Sequence, residues 1–450
     1  MARRTVLEQF QSWCIAKHHR RILTPGSLLR YAFREFGLEP VAQMKNRQFP
    51  PGIKPAQLWS WTARLKPRPF KETFMQRGLV AILLLISVTC LQVAGQRKDG
   101  HGSSSNLPGA GYGVLEPITS GNLTIFPVTA GTNYETARFI TLDEGVRAGT
   151  VVVTEQGQMI GMVRPGSRLP VRGSAEVNRL ALYNKSGRPL LLLAGEIVTG
   201  GKQDRVIGAD RIVPSSPEAI DLGVFCVEPG RWVGSSNNFG SMKSQMAQPS
   251  VRRPAMAAKS QAMVWDQVRE KAGRMSASVP MASASALGGT TSYARVMADD
   301  AVQETVDRVA APITQDYEAV LRHLKQKKAV GVVVAVNGEV MWADIFGSTE
   351  LLEKYWPKLV RSYAAEAVTS GSSKGSHPMV SANSAQQFVD ELGGEKEVAE
   401  TDAGVFRRAE ITGDGYRVFT LTSLLPKMNF EVHITKMKDS REVRARIQVR

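Results

Sequence analysis

The sequence predicts an α+β fold: a β-rich sandwich or barrel-like N-terminal unit, a β-hairpin plus helix lobe, and C-terminal antiparallel strands. Three observations predict it. From Tyr112 to about Val233 the chain carries short runs rich in Val, Ile, Leu and Thr (LTIFPV, GTVVVTEQ, LALYN, LLLLAGEIV, RVIGADRIV, AIDLGVFCV), broken by NKSGRP and PSSPE. Apolar β-branched runs bounded by such clusters read as strands. AVGVVVAVNGEVMWADIFG places two apolar runs on either side of Asn337-Gly338, the pair favoured by a type I′ hairpin turn. GVFRRAEITG, YRVFTLTSL and FEVHITKM then alternate polar and apolar residues, as a meander with one wet face does.

Taken in order, residues 1–74 form a basic segment with no sustained periodicity, and Met75 reads as the translational start. Residues 75–95 read as a signal peptide or signal anchor. After Arg77 come 18 uncharged residues, GLVAILLLISVTCLQVAG, ending in the small-residue stretch Val93-Ala94-Gly95, which suits cleavage. Either form places the rest of the chain outside the cytoplasm, periplasmic or extracellular, with membrane contact only through residues 78–95 where that segment is uncleaved. Residues 96–111 are a Gly/Ser-rich linker and 112–370 the main domain. Leu190 to Ile197 and Arg205 to Val213 are expected to pair across Thr199-Gly200-Gly201-Lys202. Residues 234–295, rich in Ser, Met, Ala and Gln, read as a mobile insert with one short helix around Ala262 to Ala272. Ala298 to Lys328 carries Val302, Val306, Val309 and Ile313 on one helical stripe, with Pro312 expected to kink or split it. Ser348 to Val368 reads as an amphipathic helix capped at Ser348 or Thr349. Residues 371–450 read as a strand-rich C-terminal extension, entered through a helix near Ala382 to Leu392.

The charge balance excludes one function class. Of a formal net charge of +16, residues 1–76 hold 14 Lys/Arg against 4 Asp/Glu, a net of +10, so the basic excess belongs to the front of the chain. No nucleic-acid partner is expected for the folded part. Cys226 is the one cysteine after Gly95, so a processed chain has no disulfide.

Two polar clusters sit beside the apolar runs: GEIVTGGKQDR (195–205) and CVEPGRW (226–232). Charged groups are costly to bury without partners, so their crowding marks a candidate site. Glu196, at the end of an apolar strand, is a candidate general acid or base; the alternative is an edge-strand glutamate paired with Arg205. Gly200, Gly201 and Lys202 are candidates for presenting N–H groups and an ammonium to an anion, with Gln203 and Arg205 on one strand face beside them. Only four residues separate Cys226 from Arg231, one fewer than a cysteine-phosphatase loop needs. Cys226 is therefore read as a buried structural thiol more readily than as a nucleophile. Glu228, a second candidate base, Arg231 and Trp232 suit binding. Asp344, on the strand after the Asn337-Gly338 turn, is a third candidate acid, with Arg361 as its expected partner. The histidines after the apolar segment, His101, His323, His377 and His433, show no pair at ligand spacing, so no metal and no cofactor is expected.

In these motifs the chain resembles the ARG- and rhodanese-phosphatase-superfamily-associated protein domain family, which is largely uncharacterised. The resemblance runs through GNLTIFPV, VNRLALYNKSGRPLLLLAGEIVTGGKQDRVI, CVEPGRW and VGVVVAVNGEVMWADIFGSTELLEKYWPKLVRSYAAEAV. It implies nucleotide or ADP-ribose chemistry, from the enzymes near which the family occurs. The expectation is an exported domain that binds a small polar or anionic ligand at the two clusters. Hydrolysis with Glu196 or Glu228 as general base is the reaction these residues suit. The alternative is a non-enzymatic structural or interaction module of the cell envelope.

Overall fold

The computed structural model describes residues 111–156, 178–231, 233–242, 245–323, 329–371 and 379–439. The chain divides into two compact units, Met1–Gly100 and His101–Arg450, and all described residues fall in the second. The segments 1–74 and 78–95, with the readings attached to them, lie outside the described residues. Among the described residues no helix is long and apolar enough to cross a membrane.

Three sheets carry the fold, and the α+β class follows directly from them. The largest has nine strands in the order β1 (Tyr112–Val114), β3 (Leu123–Ala130), β13 (Ala329–Val336), β14 (Glu339–Phe346), β18 (Met428–Lys438), β17 (Tyr416–Leu425), β16 (Phe406–Gly413) and β15 (Lys396–Asp402), with β2 (Ile118–Ser120) paired to β3. A six-stranded, nearly closed barrel-like unit runs β12 (Gly240–Ser241), β8 (Ile197–Thr199), β9 (Arg205–Ile207), β11 (Ser216–Cys226), β6 (Arg179–Asn184) and β5 (Val151–Glu155). The third sheet joins β10 (Arg211–Val213), β7 (Leu190–Leu192) and β4 (Ile140–Thr141). The two runs either side of Gly200-Gly201 thus each split in two: β8 pairs β9 around the turn, and β7 pairs β10 in a separate sheet.

The β13–β14 hairpin turns at Asn337 and Gly338, which hold φ of 54° and 76°, the left-handed pair that a type I′ turn demands. Helix α7 (Thr349–Ser370) begins at Ser348, whose side chain accepts from the Leu351 N–H. (The short helix α1, Leu142–Arg147, precedes β5, and further helices, described below, lie between β12 and β13.) Its buried residues Leu352, Tyr355, Leu359 and Tyr363 belong to the main apolar cluster, which draws Val332 and Val334 from the large sheet and Leu193, Ile197 and Val206 from the smaller β units. Helix α8 (Ala382–Asp390) covers part of the other face of the large sheet through Ala385 and Val389.

Two organisational expectations are corrected. Residues 234–295 are not a solvated insert. They form α2 (Pro249–Arg253), a π-helical turn (Pro254–Ala258), α3 (Gln261–Ala277), α4 (Met281–Leu287) and α5 (Tyr293–Met297). Met246, Val251, Val264, Val268, Met275 and Met297 among them lie in the main core. The Ser, Ala and Gln content suggested solvation, yet widely spaced methionines and valines supply a buried stripe. Residues 371–450 are likewise no extension. β18 pairs with β14 and places the tail's strands within the large sheet. Helix α6 (Asp300–His323) runs through Pro312 as one element.

Candidate functional site

The two clusters are brought together as expected: β9 pairs β11, setting Arg205 opposite Cys226. Their polar groups, however, are turned on one another. The Gly200 N–H donates to Asp204 Oδ1 at 3.0 Å, the Gly201 N–H to Ser236 Oγ at 3.1 Å, and the Lys202 N–H to Glu155 Oε1 at 2.7 Å. The expected anion nest is therefore filled from within. Gly201 has φ of +51°, and a Cβ there would stand 2.2 Å from the Phe239 ring and 2.7 Å from Glu155. Its glycine character thus serves packing. The Gln203 side chain donates to the Glu228 carbonyl at 3.0 Å, and Glu228 Oε2 accepts from the Asp204 N–H at 3.1 Å. Arg231 pairs with Glu228 at 2.6 Å and donates to the Gly201 carbonyl at 3.0 Å. Ser292, which caps α5, donates to Asp204 Oδ2 at 2.8 Å. Trp232 lies outside the described residues.

Cys226 is fully buried. Its backbone exchanges two hydrogen bonds with the Gln261 side chain, at 2.8 and 2.9 Å, so the edge of β11 is closed by α3. Burial pushes the thiol up, against the opposing effect of the Glu228 N–H and Arg205. A buried thiol with a raised pKa is a poor nucleophile.

Glu196 and Asp344 belong to two other networks. Glu196 is sealed from solvent and accepts from the Leu193 N–H at 3.0 Å. It pairs with Lys358 of α7 at 2.8 Å, and not with Arg205. Lys358 also pairs with Asp143 at 2.7 Å. Burial, with Asp143 adding to it, pushes Glu196 up, while the two carboxylates outweigh burial at Lys358 and raise it. A raised carboxyl would suit a general base, but no solvent or substrate reaches this one.

Asp344 is the centre of a fully buried cluster. Arg252 of α2 donates to both its oxygens, at 2.9 and 3.1 Å. Trp342 Nε1 donates to Oδ2 at 2.9 Å, the Tyr363 hydroxyl to Oδ2 at 2.5 Å and Thr435 to Oδ1 at 2.8 Å. His433 Nε2 lies 3.4 Å from Oδ1, while its Nδ1 stands 2.6 Å from Asp210 Oδ2. Burial alone would push Asp344 up, but Arg252 and His433 hold it well below the usual carboxylate range. Burial would likewise lower His433, yet Asp210 and Asp344 lift it to about 9, so it is protonated at neutral pH. Two cations and two carboxylates balance. The expected partner Arg361 instead pairs with Asp307 of α6. Gly195 (φ +97°) passes so close that a Cβ would lie 2.6 Å from the Arg252 chain. That contact gives the first residue of the motif its reason. No local signal in the sequence marks Arg252, Asp210, Lys358 and Asp143, because their partners lie up to 223 positions away.

An open concavity among the described residues lies elsewhere. A groove of about 680 Å³ lies on the large sheet, bounded by the loop after β3 and by β15 to β18. The Tyr134 N–H donates to the Gly347 carbonyl at 3.0 Å and fixes that loop. The Tyr134 ring stacks on Phe430 with centroids 4.3 Å apart and planes 2° from parallel. Arg407, Thr422 and Glu431 form one row across three strands. The β17–β18 register shifts between Leu421, opposite His433, and Thr422, opposite Glu431. This bulge at Val432 sends Glu431 into the groove and His433 to the opposite, buried face; regular alternation would have put both on one side. Among the described residues Glu431 Oε2 is buried with no hydrogen-bond partner. None of the residues named from the two clusters lines this groove. Among the described residues no group of three or more His, Cys, Asp or Glu converges as metal ligands.

Comparison with curated proteins and with solved structures gave no match. A family model does match, over residues 111–434, a span that includes β15 to β17, the first part of β18 and the groove. The chain belongs to the ARG and Rhodanese-Phosphatase-superfamily-associated Protein domain family, ARPP-1.

Proposed function

We propose that the domain is an exported binding module for a small polar ligand, which it holds in the groove between the loop at 130–134 and strands β15 to β18. The observation that supports this reading is the groove itself. Its volume of about 680 Å³ falls within the roughly 300–1,000 Å³ of small-molecule sites, and it sets aromatic rings beside polar and charged side chains that can orient a polar ligand. In this reading the two motifs are the frame. Gly195 seats Arg252, Glu196 ties β8 to α7 through Lys358, and Arg231 ties the Gly200-Gly201 turn to the segment after β11. Neither Glu196 nor Glu228 is placed to deprotonate a bound ligand, since the first is sealed and the second holds Arg231. Binding without turnover is the reading the geometry favours. A multiply charged phosphate fits the groove poorly, because among the described residues Glu397 and Glu431 stand there against Arg407.

Hydrogen–deuterium exchange on the full chain tests this, using a set of small amines, amides, carboxylates and phosphates as probes. Protection is expected at Gly131–Tyr134 and Asn429–Val432. Protection confined to Gly200–Lys202 and Pro229–Arg231 would return the site to the motifs. A second reading, a structural or interaction module of the cell envelope, is favoured by the buried ion pairs Arg252–Asp344 and Lys358–Glu196 of the interior networks. No protection by any probe would leave that reading standing.

A further inference from the structure

Resting on that reading, we infer that the groove takes an organic cation, an ammonium or guanidinium whose charge sits against Glu431 and whose apolar part lies along Tyr134. Three observations lead there. First, among the described residues the groove's charged side chains are Glu397, Arg407 and Glu431, and Arg407 already pairs with Glu397. The charge left over is one carboxylate. Second, Glu431 Oε2 is withdrawn from water with no donor to meet it, and an unmet buried acceptor is costly until a donor arrives. A ligand N–H of positive charge is the donor that answers both the acceptor and the charge. Third, the aromatic surface beside it, Tyr134 stacked on Phe430, presents a negative ring face to cations and an apolar face to a carbon chain. An anion would meet the carboxylate and the ring face alike as repulsion.

Titration agrees with the geometry. Burial, which Arg407 offsets only in part, pushes Glu431 up to about 7. A bound cation would favour its ionised form. Affinity for a cation is therefore expected to rise as pH climbs through about 7. Glu397, Arg407, Tyr112 and Tyr134 are the other titratable groups facing it, from β15, β16, β1 and the loop after β3.

The test is calorimetric titration of the full chain with three probes of similar size: phenethylammonium, 2-phenylethanol and phenylacetate. The ammonium should bind tightest, by about tenfold or more over the alcohol, as suits a charge-assisted hydrogen bond in a partly desolvated site. Glu431→Gln should bring the ammonium down to the level of the alcohol without lowering Tm, since it removes an unmet charge. Tyr134→Ala, at a ring 42% exposed, should weaken ammonium and alcohol together. If the alcohol or the carboxylate binds as well as the ammonium, or if Glu431→Gln leaves ammonium affinity unchanged, the cation assignment falls and the groove remains a binding site. If no probe of any charge binds and none protects the groove from exchange, the binding reading falls with it.

Discussion

Replacing Asp344 by asparagine isolates the contribution of the buried cluster around it. The side chain keeps its shape and loses its charge. In the wild type Oδ2 accepts from Arg252, Trp342 and Tyr363, and Oδ1 from Arg252 and Thr435. An amide offers one acceptor oxygen and turns an NH₂ group towards donors on its other side. Arg252 and protonated His433 would then share the buried space with Asp210 alone. Removing one partner of a buried ion pair costs about 3–5 kcal/mol, because the other charge stays buried without compensation. For a domain of this length each kcal/mol moves Tm by about 2 °C, so a fall of about 6–10 °C is expected. The cost should shrink in the double variant Arg252→Met with Asp344→Asn, where the larger uncompensated charge has gone, giving a coupling of at least ~1 kcal/mol in the cycle. Thermal and urea unfolding followed by circular dichroism measure all four corners. A cost below about 1 kcal/mol for Asp344→Asn, or strict additivity of the two substitutions, would refute the view that the cluster acts as one charge-balanced unit.

Two further outcomes follow from the same reasoning. His433 is raised from its ordinary value to about 9, so its stabilisation is complete below pH ~6.5 and is lost as pH rises towards 9, amounting to about 3 kcal/mol. Tm should therefore fall across that window in the wild type more steeply than in His433→Asn, the difference separating His433 from Lys436 and Glu431, which also titrate there. Equal slopes would contradict the assignment. For Cys226, alkylation by iodoacetamide at pH 8, read by peptide mass spectrometry, should be at least about tenfold slower in the folded chain than in urea. A folded-state rate matching the unfolded one would restore the thiol as an accessible group.

The architecture was largely legible because it rests on local signals. Asn337-Gly338 dictates a turn with two positive φ angles, Ser348 is a capping residue ahead of an amphipathic stripe, and the alternating tail pairs as a meander. The β8–β9 pairing around Gly200-Gly201 could be read as well, since strands bracketing a Gly-Gly turn have few ways to pair. Partner choice was not legible. Asp344 lies 17 positions from Arg361 but chose Arg252, 92 positions away, because α2 sits against that end of β14. The insert was misjudged for a related reason. Its buried methionines and valines are spaced among small polar residues, and only the packed neighbours show which side is inside. Glu431 escaped notice because one bulge at Val432 reverses the face it points to, and alternation carries no mark of a bulge.

These two kinds of residue bear differently on function. The motifs by which the chain resembles its family are, in the folded molecule, mainly groups that close on each other: Gly201 against Phe239, Glu196 on Lys358, Glu228 on Arg231. Buried pairs of this kind fix register and orientation more surely than they add stability. A resemblance carried by them speaks first for the frame, and the chemistry of neighbouring enzymes does not pass to the ligand through it. The residues that face open space, Tyr134, Arg407 and Glu431, come from a loop and from tail strands outside those motifs, where a scaffold can change its ligand while keeping its fold. Substitutions at Glu431 and Tyr134 should accordingly alter what is bound and spare Tm, whereas substitutions at Asp344 or Glu196 should lower Tm before any effect on binding is seen.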